Sequence, residues 1–460
     1  MQHIFYRPKD GYLCDVIPFV DEQKVFLYYL HDYRNIEKYG EGTPWRVLTS
    51  TDFLRFELQG EAIARGKINE QDLFVFTGSA IKKDNQYIIF YTGHNPHFLG
   101  QKPVQVILKA TSEDGIHYQK DPSFSFAHLE NYSADDWRDP FVFYDEKNKI
   151  YKMLIAARKK EAIRRGGLTL CFVSSDLNVW KFDFEYYAPD LYFTHECPDT
   201  FIENQRQFLI FSEFSKDRVS RYVYSDDEGK KWQAGKVEVL DGRAYYAAKT
   251  LKYNGKRYSF GWVPTKNKED DNADWQWGGT LVVHELFVEE GELYERPIPA
   301  LRQLIDQVEP IIYGDYRINL GSGMKLFAPK NHNLGCFSFD FKFLKAGGSV
   351  APILGFSDNK DEGYEFEISN TGIRFNLYPN PEWHFANFVG VERRVVVSEG
   401  IQHHIDVFID NDIFVLYLDN HIALSTRIYN QEGNHLGVKI ENGDVIVNNI
   451  EYRDFEGVLL

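Results

Sequence analysis

The sequence predicts an all-β protein, a five-bladed β-propeller over residues 1–305 followed by a β-sandwich over residues 306–460. Three observations lead there. Aromatic residues make up 16% of the 460-residue chain, with Phe 36, Tyr 29 and Trp 8, a composition that favours pleated, half-buried strands. A hairpin-like pattern recurs five times in the first three hundred residues. Between its copies, a motif of Ser, Asp and a downstream aromatic recurs four times, and such periodicity is the mark of a repeat architecture.

The hairpin copies are DVIPFVDEQKVFLYYL, SAIKKDNQYIIFYTG, DPFVFYDEKNKIYKMLIAAR, ECPDTFIENQRQFLIFSE and YAAKTLKYNGKRYSFGWV. Each is an apolar strand, a turn drawn from Asp, Glu, Asn, Gln or Gly, and a second strand rich in aromatic and β-branched residues. The second motif reads TSTDFLRF, TSEDGIHY, SSDLNVW and SDDEGKKW, with Asp52, Asp114, Asp176 and Asp227 stepping by 62, 62 and 51 residues. A hairpin followed by a Ser-x-Asp turn gives three or four strands per repeat, and five repeats close a ring. The segment WGGTLVVHELFVEEGELYERPIPAL supplies the last strands of the fifth repeat. Beyond Asp306, short alternating strands such as CFSFDFKFL, YEFEI, IRFNLY, HIDVFID and IFVLYLD read as a sandwich with a packing role.

Bulk properties exclude several partner classes. A net charge of -16 repels phosphate backbones and anionic lipid, so neither nucleic acid nor membrane is an expected partner. The N-terminal stretch has no apolar run of leader length, which points to a cytoplasmic protein. Cys14, Cys171, Cys197 and Cys336 form no C-x-x-C pair, so reduced thiols are expected rather than a disulfide framework or a zinc site. His94 and His97 in GHNPH lack a partnered carboxylate motif and read as a loop, and no metal or organic cofactor is expected. Oligomeric state is left open by the sequence.

In a propeller the innermost strands line a central channel, so residues at equivalent strand starts converge on one mouth. Three of the five hairpins begin with an acid: Asp15 in CDVIPF, Asp139 in WRDPFVF and Glu196 in HECPDTF. Clustered carboxylates raise one another's pKa, which leaves one protonated beside an ionised neighbour. Cleavage of a glycosidic bond needs that division between acid and carboxylate.

At these residues the chain resembles glycoside hydrolase family 32, the invertase and fructanase family, whose members join a five-bladed propeller to a β-sandwich. WRDPFVF is similar to the family's Arg-Asp-Pro motif, HECPDTF to its Glu-Cys motif and FTGSA to its serine-bearing inner strand. YYAAKTL with FGW, and WGGTLVVHEL, follow in the family's order. The resemblance implies a retaining, exo-acting β-fructofuranosidase on sucrose or a short fructoside. It further implies Asp15 as nucleophile, Glu196 as general acid/base, Asp139 as transition-state stabiliser and Arg138 holding its neighbours by charge-assisted bonds. The family's Trp-x-Asn-Asp-Pro-Asn-Gly is here Tyr12, Leu13, Cys14, Asp15, Val16, Ile17 and Pro18, so both flanking amides are absent, and Leu30 replaces a following Gln.

Candidates for reading the sugar are therefore His31, Asp32, Trp45, Phe76, Ser79, Arg138, Tyr245 and Trp277, with Lys249 in the channel. His31 and Asp32 either replace the lost amide or form a solvated turn pair. Trp45 either stacks on a sugar or packs between repeats. Two other readings compete: an arabinosidase or xylosidase on the related scaffold, and a noncatalytic sugar-binding protein with a degraded nucleophile motif.

Overall fold

The computed structural model describes residues 3–162, 164–215, 217–345, 347–378, 390–431 and 433–458. The first 300 residues form antiparallel meanders of four strands each. They are β1 (Tyr12–Asp21), β2 (Lys24–Asp32), β3 (Trp45–Ser50) and β4 (Glu57–Ile63); β5 (Phe74–Lys83), β6 (Gln86–His94), β7 (Gln105–Ser112) and β8 (Gln119–Lys120); and β9 (Tyr132–Asp145), β10 (Ile150–Lys159), β11 (Gly167–Ser174) and β12 (Lys181–Tyr187). There follow β13 (Glu196–Glu203), β14 (Arg206–Glu213), β15 (Val219–Ser225) and β16 (Gln233–Leu240), then β17 (Tyr246–Tyr253), β18 (Lys256–Lys266), β19 (Trp275–Glu289) and β20 (Glu292–Pro297). The first and last meanders are joined into one sheet by pairing of β19 with β1 at Gly279 and Leu13. The first strands touch in a cycle, β1 with β5, β5 with β9, β9 with β13, β13 with β17 and β17 with β1.

All five expected hairpins are present as the first two strands of each meander. Their turns use residues that tolerate positive φ: Asn204 and Gln205 at 51° and 65°, and Asn254 and Gly255 at 48° and 76°. The Ser-x-Asp motif is the turn that follows the third strand of each of the first four meanders. Ser112 Oγ accepts the Gly115 amide at 3.0 Å while Asp114 Oδ1 accepts those of Ile116 and His117 at 2.8 Å each. Ser174 and Asp176 do the same for Leu177, Asn178 and Val179. These side chains satisfy amides that a sharp turn orphans, which explains why the motif repeats with the fold. The aromatic that follows packs onto the preceding meander. Tyr118 meets Tyr28, Trp180 meets Phe90, and Trp232 Nε1 donates to the Tyr186 carbonyl at 2.8 Å. At the junction of first and last meanders, Phe53 packs on Tyr253, Tyr258 and Phe260.

A helix, Pro299–Gln307, leads to a ten-stranded antiparallel sheet. Its strands are β21 (Ile311–Phe327), β22 (Leu334–Phe343), β23 (Ser349–Phe356), β24 (Gly363–Ser369), β25 (Gly372–Tyr378), β26 (Val391–Arg394), β27 (His403–Asp410), β28 (Ile413–Leu418), β29 (Ile422–Arg427) and β30 (His435–Asp454). The long β30 links two halves, pairing with β23 through residues 435–441 and with β22 through 445–454. Both halves share one core: Phe366 and Phe375 from one, Val407 and Leu416 from the other, with Phe337, Phe339 and Phe341 between. Opposite ends of a sheet meet in one core only when it folds over on itself.

Strand β28 is apolar on both faces, and the neighbouring β27 adds Phe408 to one of them. Val407, Ile409, Phe414 and Leu416 enter this second core, while Phe408, Val415 and Tyr417 enter the first with Leu281, Val283 and Leu301. That double burial explains the unbroken run IFVLYL, since alternation is needed only where one face meets water. Polar pins reinforce the contact. Asp241 accepts Ser425 N at 2.7 Å, Ser425 Oγ at 2.5 Å and lies 3.0 Å from His284 Nε2. Arg427 donates to the carbonyls of Pro264 at 2.8 Å and Val263 at 3.2 Å, next to Trp262. None of the described helices is long and apolar enough to cross a membrane.

Candidate active site

Each of the five first strands breaks its pairing register at the same height. The shifts fall between Cys14 and Val16 in β1, Phe76 and Gly78 in β5, Glu196 and Asp199 in β13, and Tyr246 and Lys249 in β17. In β9, Asp139 and Pro140 together face the single residue Ile155. A bulge leaves a residue unpaired and re-aims its side chain. At four of the five the backbone is left-handed, with φ of 32° at Asp15, 57° at Asp139, 53° at Cys197 and 55° at Ala247. Non-glycine residues hold that conformation only where their surroundings over-determine it, and such strain gathers at functional sites. The fifth bulge uses Gly78, where a Cβ would lie 2.0 Å from the Phe90 carbonyl oxygen.

The bulges bring the three predicted acids into one hydrogen-bonded cluster. Asp15 accepts from Thr77 Oγ1 at 2.5 Å on Oδ2 and from Trp262 Nε1 at 2.9 Å on Oδ1. Asp139 Oδ2 accepts the Cys197 amide at 2.8 Å, and the Cys197 Sγ stands 3.9 Å from Asp15 Oδ2. Glu196 Oε1 accepts from Arg138 Nη2 at 3.1 Å, and its Oε2 accepts from the Tyr246 hydroxyl at 2.5 Å. Arg138 is itself held by Asp136 at 2.7 Å, whose second oxygen takes Arg158 Nε at 2.6 Å. Asp139 is almost fully enclosed at 4% exposure, whereas Asp15 and Glu196 are half-buried.

Burial pushes the Asp15 carboxyl up to about 6, against the Thr77 hydrogen bond that favours its ionised form, with Asp139 adding to the rise. The same desolvation pushes Glu196 up to about 7; Arg138 and Tyr246 oppose it, and Asp139 and Asp15 add to it. The higher value of Glu196 favours a protonated Glu196 beside an ionised Asp15. Glycoside cleavage calls for such a pairing of carboxylate and protonated acid.

The candidates named for sugar contact divide. Phe76 and Trp277 lie at the mouth with ring centroids 5.9 Å apart, and His94 stacks on Phe76 at 4.5 Å. Trp277 is 38% exposed. Gly278 lets the chain pass there: its φ is 83°, and a Cβ would stand 2.6 Å from Cys14 Sγ. Asp32 accepts the Arg34 amide at 2.9 Å. Arg34 packs over Tyr12 at 3.6 Å and donates to Gln276 Oε1 at 2.7 Å and to the Trp277 carbonyl at 2.8 Å. Asp32 thus anchors the arginine that fixes the Trp277 turn.

Four candidates sit elsewhere. His31 is fully enclosed, with its ring against Tyr33 at 4.5 Å and Tyr29 at 5.9 Å, because the alternation of β2 puts it on the face of Tyr29 rather than that of Leu30. Trp45 is fully buried between the first two meanders, its Nε1 donating to the Val75 and Phe76 carbonyls at 3.1 and 3.2 Å. Ser79 Oγ accepts the Val142 amide at 2.8 Å and ties β5 to β9. Tyr245 precedes its bulge by one residue too many: its hydroxyl bonds Ser259 at 3.1 Å, and the next residue, Tyr246, reaches Glu196. Lys249 is buried, with its Nζ 3.4 Å from the Pro198 carbonyl oxygen. His97 pairs with Glu41 at 2.9 Å, so the two histidines of GHNPH have separate partners.

Thr77, Trp262 and Arg34 were not singled out by sequence, although the first two lie inside quoted motifs, and Tyr246 was legible only as the start of the fifth hairpin beside Tyr245. Bulge phase, which decides what points inward, has no signature in the amino acids alone. All four cysteines are free and buried, and Cys14 faces Gly278 rather than the cavity. A cavity of about 410 Å³, lined among others by Tyr12, Tyr33, Tyr39, Arg427 and Tyr429, includes none of the three acids.

A sequence model described as "Glycosyl hydrolases family 32 N-terminal domain" matches residues 5–297. The chain is 25% identical over 436 residues to the raffinose invertase of Escherichia coli, spanning 88% of this chain and 84% of that protein. It is also 25% identical over 284 residues to the sucrose-6-phosphate hydrolase of Vibrio alginolyticus, an alignment covering 56% of each. In three dimensions it is similar to fructan 1-exohydrolase IIa of Cichorium intybus, with a TM-score of 0.76 at 16% identity over 99% of this chain and 98% of that one.

Proposed function

Because this chain belongs to glycosyl hydrolase family 32, we propose that it is a β-fructofuranosidase that releases the terminal fructosyl unit of sucrose or a short fructoside with retention of configuration. The observation that carries this reading is the cluster of Asp15, Asp139 and Glu196 on three bulged strands, with the carboxyl of Glu196 raised to about 7 and that of Asp15 to about 6. Asp15 attacks the anomeric carbon as Glu196 gives its proton to the leaving oxygen, and the glycosidic bond breaks to leave a fructosyl ester on Asp15. Water then attacks that carbon, Glu196 takes the water's proton, and the ester bond to Asp15 breaks to free the sugar. Asp139 hydrogen-bonds the sugar hydroxyls, and Arg138 orients Glu196. Phe76 and Trp277 form the aromatic wall against which the sugar or its leaving group lies.

The scaffold in this reading is a five-bladed propeller over residues 1–305 and a sandwich over 306–460, supported by the cyclic contacts of the five meanders. A cytoplasmic setting fits four free, buried thiols. The pentosidase and noncatalytic alternatives are not favoured by relatives whose names are invertase and sucrose-6-phosphate hydrolase.

The test is hydrolysis of sucrose, 1-kestose, inulobiose and a set of pentosides, with the anomer released followed by NMR. Fructose appearing first as the β-anomer, and disappearing with Asp15→Ala, is the expected outcome. Absence of turnover across all fructosides by the wild type, or release of the inverted anomer, would overturn it.

A further inference from the structure

Glu196 is gripped from both sides by neighbours in equivalent places. It stands directly before the left-handed residue of its bulge, Cys197; Arg138 stands directly before Asp139 in β9, and Tyr246 directly before Ala247 in β17. Three consecutive meanders therefore present one side chain each at the same height. The outer two reach inward to the middle one, Arg138 to Oε1 at 3.1 Å and Tyr246 to Oε2 at 2.5 Å.

The two grips differ chemically. A guanidinium only donates, so the oxygen it faces is poorly suited to carry a proton. A phenol both donates and accepts, so Tyr246 can bond Oε2 whether or not that oxygen is protonated. Burial, followed by the charge of Glu196, holds the Tyr246 phenol well above its ordinary range, and it keeps its own proton throughout. Trp262 packs edge-on against Tyr246 at 5.7 Å while its Nε1 holds Asp15, so one aromatic pair from β17 and β18 touches both reacting carboxylates.

We propose that Tyr246 is the positioning residue of the acid/base: it fixes Oε2 as the oxygen that carries the transferable proton and turns its hydroxyl as that proton leaves and returns. In the first half-reaction the proton passes from Oε2 to the leaving oxygen as the glycosidic bond breaks, and the Tyr246 O–H swings to donate to the new carboxylate. In the second half Oε2 takes a proton from the attacking water as the ester to Asp15 breaks, and Tyr246 returns to accepting. No proton passes to Tyr246 itself. This rests on the acid/base reading of Glu196 given above.

The charged and titratable groups facing Glu196 are Arg138 and Asp139 from β9, Asp15 from β1 and Tyr246 from β17, with Cys197 beside it and Lys249 near Cys197. Tyr246 favours the ionised form of Glu196, so its loss raises the Glu196 pKa. For Tyr246→Phe, kcat/KM on sucrose should fall about tenfold or more, the rate equivalent of one charge-assisted hydrogen bond. The high-pH limb of its kcat/KM profile should move upward, and the deficit should shrink on an aryl fructoside whose leaving group needs no proton. Tyr245→Phe, which loses the bond to Ser259 instead, should keep the wild-type profile. An unmoved limb in Tyr246→Phe, or an equal deficit on both substrates, would overturn the proposal. Glu196→Gln, assayed alongside, separates the two levels: if it retains the wild-type profile, the acid/base reading itself fails.

Discussion

Replacing Asp15 with Asn should change the protein's stability in a pH-dependent way whose sign is set by the site. Burial raises this carboxyl from 3.8 to about 6, so the folded state holds the proton more tightly than the unfolded chain. Below the unfolded value both states are protonated and nothing is lost. As pH climbs from 3.8 through about 6 the unfolded chain ionises first, and the wild type loses stability until the penalty is complete. At 1.36 kcal/mol per pKa unit that penalty is about 3 kcal/mol, reduced to roughly 2 kcal/mol by the water that reaches a half-buried side chain. An amide escapes it at every pH. At low pH the protonated carboxyl offers Thr77 and Trp262 one carbonyl acceptor, as the amide does, so the two proteins start out closely matched. Asp15→Asn should therefore be close to wild type in stability at pH 4 and more stable by about 2 kcal/mol at pH 8. Unfolding entropy scales with length, so 1 kcal/mol is worth about 1 °C in a chain of this size. Scanning calorimetry of both proteins across that range should show the Tm of Asp15→Asn rise relative to wild type by about 2 °C as pH increases. A difference that stays flat, or that falls with rising pH, refutes the burial argument for this carboxylate.

Other outcomes follow from the same geometry. The wild-type kcat/KM profile should be bell-shaped between about 6 and about 7, peaking near their midpoint, and Glu196→Gln should lose the upper limb with a rate loss of roughly 10²–10⁴. Gly278→Ala forces a Cβ against Cys14 Sγ at a φ of 83°, so the Trp277 turn should shift and KM rise several-fold; adding Cys14→Ala should recover part of that affinity in the same assay. Asp241→Ala removes the acceptor shared by Ser425 and His284 between the last meander and the ten-stranded sheet, and urea titration should show a loss of about 3 kcal/mol with little change in the pH profile.

The recurrence of hairpin and Ser-x-Asp turn was legible because each depends on local chemistry. A turn that orphans backbone amides needs Ser and Asp at set offsets, whatever surrounds it. The three acids were legible for the same reason, since each opens a hairpin that the repeat aligns. What the repeat does not encode is the phase of the bulge. One residue of slip sends a side chain to the opposite face, which is why Tyr246 reaches Glu196 while Tyr245 bonds Ser259, and Thr77 reaches Asp15 because it is the unpaired residue of its bulge whereas Ser79 pairs regularly. Trp45 and His31 show the complementary difficulty. An aromatic or imidazole near a strand end suits a sugar face or a packed interior equally well, and only the neighbouring strands decide between them.

By itself the sequence determined the strand content, the order of repeats and the identity of the acids, because periodicity and turn chemistry are properties of neighbours along the chain. The tertiary structure alone decided which side chains those acids would meet. Five bulges at one height, Arg138 and Tyr246 closing on Glu196, Thr77 and Trp262 closing on Asp15, and Arg427 bracing the strand that bears Trp262 all join residues distant in sequence. Desolvation at that junction moves two ordinary carboxyls to about 6 and about 7, and desolvation exists only once the chain has closed around them.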